Sequence, residues 1–177
     1  MSCLVIVETE EGILNRSSLA TINAASQLSK EISILLLDPS KKEKLPAIKE
    51  VNKIIHTDKK IENILAEDLV PVINGIASNY KYIIAPSGTF AKNFLPRLAA
   101  VLDVQQISDV IKVIDKDTFD RPIYAGNAIA RVRSKDKIKI LTIRTTAFSP
   151  IEPSEGKAEL ELIAYESKNS KSKFINK

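Results

Sequence analysis

Three short apolar runs constrain this chain more than any other feature: Cys3 to Val7 (CLVIV), Ile32 to Leu37 (ISILLL) and Tyr82 to Ala85 (YIIA). Each has the length of a strand, favours β-branched and aliphatic residues and shows no strict polar alternation, the pattern of a strand buried on both faces. Such strands belong to parallel sheets, whose crossover connections cover them with helices. Between the first two runs, Leu19, Ile22, Ala25 and Leu28 share one helical face within Ser17 to Lys30, and Ser17 or Ser18 is available as the N-cap. A βαβ unit is expected here. A third strand is expected near Lys53 to His56 (KIIH), followed by a helical pattern through Ile61, Ile64 and Leu65 and then Leu69, Ile73 and Ile76. Pro71 falls inside that pattern, where it removes a hydrogen bond and clashes with the preceding turn. The pattern therefore predicts a break near Glu67 and Asp68, with Asp68 capping a new helix whose first turn accommodates the proline.

After Tyr82 to Ala85, residues Pro86 to Thr89 read as a strand-to-helix turn, and a helix follows from about Phe90 to Leu102 with Phe90, Phe94, Leu95, Leu98 and Leu102 on one face. Pro96 in its middle predicts a kink and a freed carbonyl near Lys92. The remainder changes character. Ile107 to Ile114, Ile123 to Arg133, Ile138 to Thr145 and Ala158 to Tyr165 read as strands, with a hairpin turn at Lys135-Asp136-Lys137 and a turn-rich loop from Ser149 to Gly156. The fold class is α/β: a three-layer parallel sheet with antiparallel strands added toward the C-terminus. The tail from Ser167 to Lys177 is polar apart from Phe174 and Ile175 and is expected to be mobile.

At 177 residues, one well-buried domain is expected. No apolar run approaches the roughly 20 residues that cross a bilayer, and MSCLVIVETEEG has neither a basic n-region nor an Arg-rich transit pattern, so a cytoplasmic location without membrane insertion is expected. Cys3 is the sole cysteine, which excludes an intramolecular disulfide and fits a buried thiol. The net charge of +4 is spread among acidic residues, and aromatic residues are few, so nucleic acid is not an expected partner. Five glycines, Gly12, Gly75, Gly88, Gly126 and Gly156, cannot spell G-x-G-x-x-G or a P-loop. One histidine, His56, excludes a His-x-x-x-His zinc site and is read as structural or surface; no metal site is expected. Asp103, Asp109, Asp115, Asp117 and Asp120 read as turn and solvent-facing positions and not as paired catalytic acids.

Two constellations remain. Ser87, Gly88 and Thr89 join a strand's carboxyl end to a helix N-terminus, a place that suits anions, though Ser87 or Thr89 could simply cap the helix. Arg121, Tyr124, Asn127 and Arg131 form the other. If Ile123 to Arg133 is one strand, Asn127 and Arg131 share a face with Ile123, Ala125 and Ile129, which serves either a partner or solvent.

Several motifs within Pro86 to Ala128 carry a resemblance to a known family. Ser87-Gly88-Thr89-Phe90, Lys92-Asn93 and Leu95-Pro96-Arg97-Leu98 come first, then Ile107-Ser108-Asp109-Val110, then Arg121-Pro122-Ile123-Tyr124-Ala125-Gly126-Asn127-Ala128, with Thr142-Ile143-Arg144-Thr145-Thr146-Ala147-Phe148 downstream. In order and spacing they resemble the N-terminal domain of the electron transfer flavoprotein alpha subunit. The resemblance implies a sheet of the adenine nucleotide alpha hydrolase-like type over residues 1–166, with 167–177 leading to an FAD-binding domain that this sequence lacks. It implies a heterodimer with a beta subunit, carrying electrons from flavin dehydrogenases such as the acyl-CoA dehydrogenases of fatty acid β-oxidation to a quinone reductase and the respiratory chain. FAD is then held mainly by the alpha C-terminal domain, and AMP in many members by the beta subunit. This chain would carry no catalytic or flavin-binding residue. Phe90, Arg97, Asp109, Arg121, Asn127 and Arg131 are its interface or structural-motif candidates. A stand-alone nucleotide-binding or adaptor module of the same fold, or a decayed gene remnant, are the alternatives.

Overall fold

The computed structural model describes residues 2–10, 13–40, 45–61 and 65–166, together with Ser172 and Ile175. The expectations for Ile64 and for most of the 167–177 tail lie outside the described residues. The strands in chain order are β1 (Ser2–Ile6), β2 (Thr9–Glu10), β3 (Ile13–Leu14), β4 (Glu31–Leu36), β5 (Val51–Thr57), β6 (Tyr82–Pro86), β7 (Gln106–Val110), β8 (Lys112–Val113), β9 (Thr118–Ile123), β10 (Ala128–Arg133), β11 (Lys139–Ile143) and β12 (Glu159–Ile163). The helices are α1 (Arg16–Ser26), α2 (Ala66–Ala77) and α3 (Thr89–Val101).

Seven strands form one sheet in the order β12-β5-β4-β1-β6-β11-β7, and every neighbouring pair is parallel. The sheet is covered on both faces, as the apolar runs require. Alternate residues of β1 serve opposite cores: Cys3 and Val5 pack with Ile22 and Ala24 of α1, whereas Leu4 and Ile6 pack with Leu69 and Ile73 of α2 and Phe94, Leu95 and Leu98 of α3. The three-layer α/β class read from the sequence is the observed one.

The antiparallel strands are real but do not extend the central sheet. They form a separate sheet, β10-β9-β8, while β11 and β12 return to the central sheet as parallel strands. Residues 123–133 are therefore not one strand. A 3-10 turn at Tyr124–Gly126 reverses the chain, with left-handed backbone at Tyr124 (φ 50°), Ala125 (φ 54°) and Gly126 (φ 95°). Two of these three are not glycine, so the turn carries no strong signal in the sequence. Lys135-Asp136-Lys137 is not a hairpin either; it links β10 to a strand that pairs parallel with β6 and β7. The strand expected from Ile107 to Ile114 is split at Ile111 into β7 and β8, and Asp109 takes left-handed backbone (φ 62°) within β7.

Helix starts differ from the expected caps. Asn15 caps α1, accepting from Ser18 N at 2.8 Å, whereas the Ser18 hydroxyl accepts from Glu8 N at 2.8 Å and donates to Glu8 O at 2.9 Å. The α2 helix begins earlier than expected, with Leu65 at its N-cap and Asp68 inside the first turn, where a carboxylate still favours the helix dipole. Pro71 lies in the second turn on an exposed position and Pro96 on an exposed position of α3, which remains one continuous helix. The carbonyls that these prolines deprive of a donor, four residues earlier, belong to Glu67 and Lys92, neither of which is buried.

The loop expected from Ser149 to Gly156 crosses the α1 face to reach the far edge of the sheet. Asn23 Nδ2 donates to Ser149 O at 2.8 Å, Ile151 N donates to Leu19 O at 3.3 Å and Ser154 N donates to Ala47 O at 2.9 Å. Gly156 is required there: a Cβ at this position would lie 2.8 Å from the Ile48 carbonyl carbon and oxygen, both backbone atoms that cannot yield cheaply. Gly156→Ala is expected to lower stability by about 1–3 kcal/mol, as other overpacking changes do, measured by denaturant unfolding; an unchanged midpoint would contradict the packing. Cys3 is fully buried and its thiol is pushed up by desolvation. It is expected to react with a thiol reagent only at the unfolding rate, and fast labelling of native protein would refute its place in the core.

Candidate functional site

The chain leaves β1 toward β4 on one side of the sheet, and after β5 it returns to β6 on the other side. The carboxyl ends of β1 and β6 thus form the switch point, where connections diverge and open sheets hold ligands. The turn after β6 is held by Ser87 N donating to Ile143 O at 2.7 Å and Gly88 N donating to Pro86 O at 2.8 Å. Gly88 is the N-cap of α3, and no side chain caps that helix. Neither Ser87 nor Thr89 therefore has the capping role that the sequence allowed.

Beside this turn, the Asp109 carboxylate pairs with Arg144 Nη2. Asp109 is fixed through its own backbone, since its N–H donates to Thr142 Oγ1 at 2.7 Å while Arg144 N donates to Val110 O at 2.9 Å. The bulge where β7 meets β11 and the left-handed backbone at Asp109 turn its side chain into this cluster. The hydrogen bond from Arg144, aided by Ser87, holds the Asp109 carboxyl below the usual carboxylate range, against a smaller opposing effect of burial. On the other flank lies Glu8, just past β1, whose carboxyl burial pushes up. A Cβ at Gly88 would sit 3.7 Å from Glu8 Oε1. The turn is thus flanked by two carboxyl groups.

The remaining candidates are spread over the molecule. Phe90 packs on Phe94 with ring centroids 5.0 Å apart and lines a cleft with Glu8, Asp38, Lys60 and Ile61. Arg97 Nη1 bonds Glu67 Oε1 at 2.6 Å and ties α3 to α2. Arg121 Nε donates to Ser108 O at 2.8 Å, tying β9 to β7. Arg131 forms a two-pronged pair with Asp120, Nε to Oδ1 at 2.8 Å and Nη2 to Oδ2 at 3.0 Å. Register puts Arg121 and Arg131 on opposite faces of their small sheet, and Asn127 is exposed in the turn, its N–H donating to Tyr124 O at 3.1 Å. His56 is buried, with Nδ1 3.1 Å from Thr57 O. Glu8 and Thr142 were not singled out from the sequence, although each stands at the carboxyl end of a parallel strand. Among the described residues no group of three or more His, Cys, Asp or Glu is placed to hold a metal ion, and no helix is long and apolar enough to cross a membrane.

These features define a doubly wound, three-layer α/β domain with a carboxylate-flanked turn at its switch point. The chain belongs to the electron transfer flavoprotein family: the family model described as "Electron transfer flavoprotein domain" matches residues 3–167. It is similar to the electron transfer flavoprotein subunit alpha of Pseudomonas aeruginosa, 37% identical over 179 residues, covering 99% of this chain and 58% of that protein. The mitochondrial alpha subunit of Dictyostelium discoideum is 42% identical over 171 residues (90% and 48% covered), and that of Paracoccus denitrificans 43% over 152 residues (84% and 49%). The chain spans about half the length of the curated relatives it matches.

The two carboxyl groups give opposite pH responses. Stability from the lowered Asp109 carboxyl is present above the ordinary carboxylate range and is lost as pH falls through its folded value. Asp109→Asn keeps a side chain that tolerates left-handed backbone, and it is expected to cost about 1–2 kcal/mol at neutral pH and to flatten the loss of stability in acid. For the raised Glu8 carboxyl the sign is reversed: its folded form is favoured below the ordinary range and penalised as pH rises through the folded value. Glu8→Gln is expected to stabilise the neutral-pH protein, with the gain disappearing in acid. Parallel pH profiles for the two variants would contradict this assignment.

Proposed function

We propose that this chain is the N-terminal scaffold and subunit-contact domain of an electron transfer flavoprotein alpha subunit. In this reading, residues 1–166 form the domain and 167–177 lead toward an FAD-binding part. The complete heterodimer, in the bacterial cytosol, carries electrons from flavin dehydrogenases, acyl-CoA dehydrogenases among them, to a quinone reductase and the respiratory chain. The chain is not itself a catalyst; its contribution is a rigid body against which the beta subunit packs.

The observation that carries this reading is the match along nearly the whole domain to proteins named as alpha subunits. The site supports placing the flavin elsewhere in the complex. A dinucleotide's pyrophosphate needs backbone N–H groups and cations at a glycine-rich turn. Here the Asp109 carboxylate lies beside the turn, paired with Arg144, and Glu8 stands against Gly88. The residues present at the switch point do not fit the diphosphate of FAD, and AMP, where the family holds it, is assigned to the beta subunit. Ser87, Gly88 and Thr89 are read as a turn that locks β6 to β7 and β11.

The test is co-expression of this chain with the electron transfer flavoprotein beta subunit of the same genome, followed by sedimentation analysis. A one-to-one complex is expected. Two species that sediment independently at all concentrations would overturn the subunit-contact role.

A further inference from the structure

The central sheet ends differently at its two edges. At β7 the edge is tied to β9, with Ile111 N donating to Asp120 O at 2.9 Å and Arg121 Nε to Ser108 O at 2.8 Å. At β12 it is open: β5 pairs along one side, and among the described residues no strand lies along the other. A parallel edge strand directs the N–H and C=O of alternate residues outward. Asp58 N donates to Ile163 O at 3.0 Å, so Glu159, Glu161 and Ile163 face β5, and the outward backbone groups belong to Leu160, Leu162 and Ala164.

The side chains on that edge do little to keep other strands away. Leu160 is 53% exposed and Leu162 62%, and they share the α1-side face with Ile54, which stands opposite Leu160 on β5. Open edges are commonly guarded by lysine, proline or a bulge, and β12 has none of these. Its charged side chains, Glu159 and Glu161, lie on the other face, where Lys53 Nζ holds Glu161 Oε2 at 2.5 Å.

We propose that β12 is the docking edge for a second copy of this chain, joined antiparallel about a two-fold axis so that the two seven-strand sheets become continuous. Few registers are open to such a pairing, because outward backbone groups must meet outward backbone groups. Centring on Leu160 would set Glu159 against Glu161 of the second copy, and centring on Glu161 would set the two Glu161 side chains face to face. Like charges directly opposite destabilise a sheet. Centring on Leu162 avoids both. Leu162 then exchanges backbone hydrogen bonds with Leu162 of the second copy, Leu160 meets Ala164, and the leucines of both copies form one apolar cluster on the α1 side. On the other face Glu161 meets Ile163 and Glu159 meets Tyr165. Exposed Lys59 lies over that tyrosine, its Nζ 5.8 Å from the ring centroid, and offers Glu159 a cation. The Asp58 carboxylate beside it accepts from Lys59 N at 3.0 Å and Tyr165 N at 2.9 Å. This complementarity of the edge with itself, in backbone phase, apolar surface and charge, favours a second copy over an unrelated strand. A contact one strand wide falls at the small end of interface sizes, so the dimer forms reversibly.

The test is sedimentation of the full chain alone over a concentration series, and a reversible monomer–dimer equilibrium is expected. Leu162→Pro removes only an outward N–H, which an edge strand tolerates, so it should leave the thermal midpoint in place and abolish the dimer. Leu162→Asp is expected to weaken dimerisation about tenfold or more, as loss of a central contact does. Glu159→Lys and Lys59→Glu should each weaken it, and the double variant should restore it, a rescue that a general loss of stability would not give. A chain that stays monomeric at every concentration, or a dimer that both Leu162 variants leave intact, overturns the proposal. So does a dimer lost on changing exposed Ile129 to Asp, which would assign the contact to β10. The measurement needs no beta subunit, so its failure leaves the subunit-contact reading standing.

Discussion

Burial of β1 on both faces is the constraint from which the rest of the structure follows. Cys3 and Val5 must be covered from one side and Leu4 and Ile6 from the other, and all four are fully buried. A strand in that position gains roughly 25 cal/mol for each Å² of apolar surface removed from water on either face, and it cannot sit at an edge. The chain therefore places β4 and β6 on its two sides, sends α1 over one face and α2 and α3 over the other, and diverges at the carboxyl ends of β1 and β6. The crevice is a product of that divergence.

What occupies the crevice decides how the fold is used. In open parallel sheets a turn like that at residues 86–89 is available to an anionic ligand. This chain supplies an anion of its own, the Asp109 carboxylate, held by Arg144. The turn thereby becomes a joint between β6, β7 and β11. At the amino ends of the same strands, buried Lys139 pairs with Asp117 at 2.9 Å, and the Tyr82 hydroxyl donates to Lys116 O at 2.8 Å, so the small antiparallel sheet is anchored near both ends of the strands it leans on. Polar groups that could serve a ligand are spent on rigidity, which suits a scaffold.

The layers were legible in the sequence because hydrophobic periodicity is a direct record of burial. The runs that became β1, β4, β5 and β6 stand within a residue or two of their observed bounds, and the amphipathic face of α1 is where its leucine and isoleucine spacing put it. What was not legible depends on tertiary partners or on unusual backbone. Tyr124 and Ala125 take left-handed conformations although neither is glycine, so the turn between β9 and β10 was read as strand, and Asp109 takes one inside β7 with no more notice. Ser18 looked like a cap but is drawn off by the Glu8 backbone, and Asn15 takes its place. The switch-point cluster joins residues from four separate segments. Thr142 and Arg144 gave no local sign of meeting Asp109, because only the parallel return of β11 beside β7 brings them together.

The central claim is our proposal that this domain is a scaffold whose switch point is closed by its own carboxylates, with flavin binding left to another part of a heterodimer. The most direct measurement is an equilibrium titration of FAD into the isolated, folded chain, followed by flavin fluorescence and by calorimetry. The account requires no saturable binding. Saturable one-to-one binding of FAD to the chain alone would contradict it.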